Sequence, residues 1–262
     1  MDIFSYSFMQ NAFIAGTLVA LLSGVIGVFV VARGLSFITQ TFSEIGFAGA
    51  AFSIFMGWGP MAGLFLFTTG SALAVSQLGL KTFQREVAIG VVFSFFMGLG
   101  LFFLSISARQ ANSAMSLLFG SILGISDGQV WILSGLSIGI LMVLLAGYRW
   151  LLIDTFDPVG AEARGLPVRL ISVVFLIVLS AAVAGTLQIV GSLLVFALMI
   201  TPAATARYLT NKVSLMIACS AGLAVAGVWL ALFLSYATNW PVTFLITSVE
   251  TLFYFAARLW RK

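Results

Sequence analysis

Residues 10–32, QNAFIAGTLVALLSGVIGVFVVA, run for 23 residues without one charged side chain and are closed at once by Arg33. A helix rises about 1.5 Å per residue, so this run covers the roughly 30 Å hydrocarbon core of a bilayer. Reading outward from it, comparable runs lie at 40–57, 60–80, 87–107, 129–147, 169–188, 191–208, 214–236 and 241–259. The pattern predicts an all-α polytopic membrane protein of about nine transmembrane helices. Gln188-Ile189-Val190-Gly191 is barely a loop, so eight is the alternative count. Met115 to Ile125 is too short to cross and reads as an interfacial or re-entrant piece packed on protein.

Composition agrees. The chain has 262 residues, 61% hydrophobic and only 8% charged, with a mean hydropathy of +1.17. A water-soluble domain carries roughly 25% charged residues to solvate its surface; this chain must present its surface to lipid. Met1 to Gln10 lacks a basic leader region, so no cleavable targeting peptide is expected. One cysteine, Cys219, and no histidine exclude an internal disulfide framework and a Cys/His metal cluster. A net charge of +4 speaks for topology here and not for nucleic acid as a partner.

Cytoplasmic loops of membrane proteins are enriched in Lys and Arg. With the N-terminus outside and the C-terminus inside, 11 of the 12 basic residues fall on the inner side. These are Arg33, Lys81, Arg85, Arg149, Arg164, Arg169, Arg207, Lys212, Arg258, Arg261 and Lys262; Arg109 alone lies outside. The longest inner segment is 148–168, within what reads as a single transmembrane domain over 1–262. It carries Asp154, Asp157 and Glu162 and is the inner loop long enough to serve as a docking element. No G-x-x-x-x-G-K-[ST] occurs, so no phosphate loop is present and an ATP motor would be a separate chain. No cofactor is expected in this chain.

Several runs resemble the permeases of zinc and manganese ABC importers. Asp157-Pro158, Ala161 and Ala163-Arg164-Gly165-Leu166-Pro167-Val168 are similar to the family's cytoplasmic coupling segment. Val190-Gly191-Ser192-Leu193-Leu194-Val195, continued by Ile200-Thr201-Pro202-Ala203-Ala204-Thr205-Ala206-Arg207, matches its most recognisable run. Leu118-Phe119-Gly120-Ser121-Ile122-Leu123 and Val30-Val31-Ala32-Arg33-Gly34-Leu35-Ser36 match further ones, in order along nearly the whole chain. The resemblance implies a fold related to the cobalamin-type (type II) importers, with spans one to four and six to nine as inverted repeats. It also implies a second permease copy, as a homodimer, an ATPase subunit on the coupling segment, and an external solute-binding protein. The setting would be the cytoplasmic membrane of a prokaryote. The sequence departs from the family in span two, where an Asp and a His four residues apart become Gln40 and Glu44. The family's final small-Pro-Gly-Pro-like segment becomes Trp240-Pro241-Val242-Thr243.

Two acidic residues, Glu44 and Glu250, fall near the middle of a span. A charge there costs at least ~2.5–3.5 kcal/mol on insertion scales, so such residues usually face an interior or a water path. Glu44 shares a helical face with Gln40, and with Ser43 it reads as a transient contact for a passing cation. Against this stands a protonated or hydrogen-bonded packing residue. Pro202, between Thr201 and Thr205, frees a backbone carbonyl of the preceding turn that could line the same path; an ordinary kink is the plainer reading. Glu250 joins the candidate path by its depth. Oxygen donors such as Glu44 and Gln40 suit manganese better than zinc, which favours His and Cys.

The alternative is a secondary transporter or channel passing cations or protons through Glu44 and Glu250. A membrane enzyme has little support: no His, no Ser-Lys or Cys-His constellation and no paired carboxylates at readable spacing.

Overall fold

The computed structural model describes residues 7–77, 82–106, 120 and 122–260. Lys81, Arg109, Arg261, Lys262, Asp2 and most of the Met115 to Ile125 segment lie outside the described residues. All regular structure described is helical. The helices are α1 (Ser7–Ala32), α2 (Ser36–Phe55), α3 (Pro60–Gln77) and α4 (Thr82–Ile106). A short 3₁₀ turn at Ile122–Gly124 precedes α5 (Asp127–Ala146), α6 (Tyr148–Phe156) and α7 (Pro158–Ala163). The chain ends with α8 (Val168–Val190), α9 (Ser192–Leu209), α10 (Val213–Thr238) and α11 (Val242–Trp260).

Among the described residues, seven helices are long and apolar enough to cross a membrane: α1, α4, α5, α8, α9, α10 and α11. This differs from the expected nine or eight. The second and third expected spans do form helices, α2 and α3, but these fall short in apolarity. Helix α2 carries Thr39, Gln40, Thr41, Ser43, Glu44 and Ser53, and all but Gln40 of these are buried. A helix enclosed by protein can carry polar residues that lipid would not accept. The doubtful boundary between spans six and seven is a true break. Val190 ends α8, Gly191 takes φ +80°, and α9 begins at Ser192.

Other ends are written locally. Gly34 at φ +65° stops α1, and the Leu35 N–H returns to the Val30 carbonyl at 2.9 Å, a Schellman-type closure. Asn239 at φ 57° ends α10, and Ser235 Oγ donates to the Trp240 carbonyl at 2.8 Å. These bonds pair groups that a helix end would leave without an intrahelical partner.

Helices α1, α2, α8 and α9 hold most of the buried residues, while α4, α5 and α10 turn large apolar side chains such as Phe95, Leu145 and Trp229 outward. Small residues let the inner helices touch. Gly49 of α2 and Gly63 of α3 meet backbone to backbone, Gly24 of α1 lies on Ala221 of α10, and Gly27 of α1 lies on the Met199 carbonyl of α9. Close approach of this kind drives helix association in lipid, where no hydrophobic effect acts between helices. Helix α2 packs on α3, α4 and α8; α9 packs on α10, α11 and α1. The same neighbour pattern thus occurs twice.

Two long-range polar contacts pin the ends. Asn11 Nδ2 donates to Asp127 Oδ1 at 2.6 Å, joining the starts of α1 and α5. At the opposite end of α1, Arg33 meets α6.

Candidate functional site

Helix α2 carries Glu44 in its first half, and Glu44 is only 3% exposed. The four-residue spacing to Gln40 acts as expected: Gln40 Nε2 donates to Glu44 Oε1 at 3.0 Å. Glu44 Oε2 has no hydrogen-bond partner. The carboxylate is therefore held by one oxygen and offers the other. Ser43 turns differently, and its Oγ donates to the main-chain carbonyl of Ser192 at 2.9 Å. That bond fastens α2 to the first residue of α9, beside the Gly191 break.

Sequence reasoning missed Ser192 as part of this site. Its hydroxyl is fully buried and without a hydrogen-bond partner, beside the α2 segment that carries Glu44. The residue lay inside the family-like run, but nothing in the chain linked it to Ser43, 149 positions away. The break itself is crowded: at Gly120 a side chain would run into the Val190 carbonyl.

Pro202 lies inside α9 and is buried. It cannot donate to the Leu198 carbonyl, which the i→i−4 ladder would otherwise satisfy. One turn on, Thr205 Oγ1 donates to the Thr201 carbonyl at 2.7 Å, so the threonine bonds the carbonyl of a neighbouring turn and not that of Leu198. Helices α2 and α9 pack against each other. This brings the Gln40–Glu44 face and the Thr201–Thr205 turn onto adjoining helices.

Glu250 stands apart. It is fully buried in α11, neither carboxyl oxygen has a hydrogen-bond partner, and its head group lies over Gly227 of α10. No hydrogen bond ties it to Glu44 or to α9. One turn further, Tyr254 and Tyr208 of α9 bring their hydroxyls to 3.3 Å.

The 148–168 segment folds into α6 and α7. Asp157 caps α7, its Oδ1 accepting from the Gly160 N–H at 3.0 Å, and Pro158 occupies the first turn, where its missing N–H costs nothing. Ala161 is buried. Gly165 at φ +70° turns the chain out of α7, and the Leu166 N–H reaches the Ala161 carbonyl at 3.1 Å. Val159 is 78% exposed and Trp150 and Phe156 are also exposed, which leaves apolar surface on both short helices.

Arg33 connects this segment to the bundle, and composition could not have shown it. Its Nη2 lies 2.7 Å from Asp154 Oδ2, its Nε donates to Thr155 Oγ1 at 2.8 Å, and its guanidinium sits 4.8 Å from the centre of the Phe175 ring of α8. Burial lowers the Arg33 pKa from its ordinary value, and the Asp154 carboxylate opposes that change.

A model of the ABC 3 transport family matches residues 5–261 of the chain. The manganese transport system membrane protein MntC of Listeria monocytogenes is 34% identical over 255 residues, covering 97% of this chain and 91% of that protein. The manganese import system permease protein ScaB of Streptococcus gordonii is 31% identical over 235 residues, 89% of this chain and 84% of that one. Among solved structures, PsaBC from Streptococcus pneumoniae in complex with Fab superposes with a TM-score of 0.87 at 29% identity, covering 96% of this chain and 91% of that chain. An inward-facing ABC transporter described as of the metal-chelate type superposes with a TM-score of 0.78 at 17% identity, over 96% and 85% of the two chains; that likeness is one of fold.

Proposed function

The chain belongs to the ABC 3 transport family, and from that premise we propose that it is the membrane permease subunit of an ATP-driven importer of manganese. The relatives that bear manganese in their names support the substrate. The observation that carries the reading at this chain's own residues is Glu44, a buried carboxylate with one oxygen held by Gln40 and the other open. An ion path must bind well enough to admit the cation and weakly enough to release it. One carboxylate per chain, joined by Gln40 and the carbonyl to which Pro202 cannot donate, is a donor set of that kind. It consists of oxygen donors, which suit Mn²⁺ better than Zn²⁺. Ser43, Thr201, Thr205 and Glu250 complete the proposed path.

A single chain presents one such face, so the path forms between two copies across an axis. The repeated neighbour pattern of α2 and α9 supports an inverted repeat of α1–α4 with α8–α11. That arrangement has α2 and α3 crossing the membrane too, for nine crossings with the N-terminus outside and the C-terminus inside. Helices α6 and α7, with Asp157, Pro158, Ala161, Arg164 and Gly165, form the seat of a separate ATPase subunit in the cytoplasm. An external solute-binding protein delivers the ion at the opposite face.

Uptake of ⁵⁴Mn by vesicles holding the chain, its ATPase and its binding protein tests the reading. Uptake is expected only with ATP inside the vesicle compartment that faces the ATPase. Accumulation driven by an ion gradient without ATP would favour the secondary transporter.

A further inference from the structure

We propose that Arg33 is a mechanical clamp that passes the movement of the coupling segment to the ion path by way of α1. The inference rests on the coupling role assigned above to α6 and α7. Among the described residues, the Arg33–Asp154 contact is an ion pair whose side chains are only 11% and 4% exposed. It is reinforced twice, by Thr155 one residue on at 2.8 Å and by the Phe175 ring beneath the guanidinium. A planar guanidinium bound through two nitrogens fixes orientation as well as distance. Helix α6 therefore cannot tilt or slide without carrying the end of α1 and the flank of α8 with it.

What lies along α1 gives that linkage an outlet. Arg33 follows directly on α1, a continuous 26-residue helix. Six residues before Arg33, Gly27 lets the Met199 carbonyl of α9 seat directly on the α1 backbone. Met199 is three residues before Pro202, where α9 lacks a rung of its ladder and bends most easily. A displacement of α6 thus reaches, through rigid and closely packed parts, the weak turn of α9, the helix that packs on α2 and its Glu44. A surface pair whose side chains were free in water would transmit little, because it would re-form in many geometries; the burial of this pair removes that freedom.

The clamp acts on coupling and not on stability. In proteoliposomes with ATPase and binding protein, Arg33→Gln is expected to retain its ATPase and to hydrolyse ATP near the normal rate. Manganese moved per ATP should fall about two- to thirtyfold, the range in which residues linking two sites act. The swap Arg33→Glu with Asp154→Arg should recover most of that loss; a ratio that stays low in the swap overturns the clamp. So does an unchanged ratio in Arg33→Gln. If the single variant does not accumulate in the membrane, the apolar pair Arg33→Met with Asp154→Leu decides. Replacing a buried ion pair by apolar residues of similar volume commonly preserves folding. A fall in the ratio then supports the clamp and a normal ratio overturns it. Cross-linking from Val159→Cys to the ATPase, in an otherwise native chain, reads the coupling role by itself. If that cross-link forms while the ratio is unchanged in the variants, only the clamp fails; if it never forms, the coupling assignment fails and takes the clamp with it.

Discussion

At the scale of single residues, Glu44 is the group on which the transport reading depends. A carboxylate enclosed by protein and held through one oxygen has lost much of its hydration, and a passing cation can replace what was lost. Glu44→Gln keeps the size and removes the charge. It should cut manganese uptake by on the order of tenfold or more, equivalent to about 1.4 kcal/mol of ion contact, with protein yield unchanged. Uptake equal to the native chain at every external manganese concentration would assign Glu44 to packing. Glu44→His replaces a hard oxygen donor with an imidazole and should shift competition in favour of zinc, measured as inhibition of ⁵⁴Mn uptake by added Zn²⁺. The i, i+4 relation of Gln40 and Glu44 was legible because it is local and set by helical pitch. The bond from Ser43 to the Ser192 carbonyl was not, because it exists only once two distant helices pack.

At the scale of elements, glycines mark the places where helices cannot be moved apart without loss. Gly49 and Gly63 press α2 against α3, and a Cβ on either would meet the opposing backbone. Gly63→Leu should therefore cost at least about 1–3 kcal/mol, the usual range for overpacking, and lower the melting temperature in detergent. Gly139→Leu on α5, where nothing lies within 4 Å, is the control and should melt within a few degrees of the native chain. Equal melting of the two would mean that the α2–α3 contact does not support the fold. In the coupling segment, Gly165 holds a left-handed φ that a side chain resists. Gly165→Leu should distort the exit from α7 and raise ATP consumed per ion, with the protein still inserted; an unaltered ratio would show that the α7 exit plays no part in coupling. Such breakers could be read as a coupling loop by resemblance. That the loop would fold as two helices with Asp157 as a cap became visible only in the structure.

At the scale of the molecule, copy number and sidedness can both be measured. The mass of the assembled complex in detergent should include two copies of this chain, and a complete transporter with one copy would contradict a path shared across an axis. A cysteine at Val159 should react with a membrane-impermeant reagent only from the cytoplasmic side, and labelling from outside would reverse the topology. The charge count puts Arg33 and the 148–168 segment with Asp154 on one side, and a direct contact joins them; sidedness is a matter for the labelling experiment.

By itself the sequence determined that this chain lives in lipid, where its long apolar runs begin and end, and which two carboxylates lie deep within them. Those are consequences of composition and helical pitch, which act over a few turns. Of its nine runs, the second and third became α2 and α3, less apolar than the seven other long helices, and composition does not say that the polar residues of α2 are enclosed by protein. Only the tertiary structure decided that α2 is enclosed, that the Ser192 carbonyl meets Ser43, and that Arg33 binds Asp154 across 121 positions. The physical reason is that burial and pairing belong to surfaces brought together by packing, and small residues such as Gly27, Gly49 and Gly63 set which surfaces can meet.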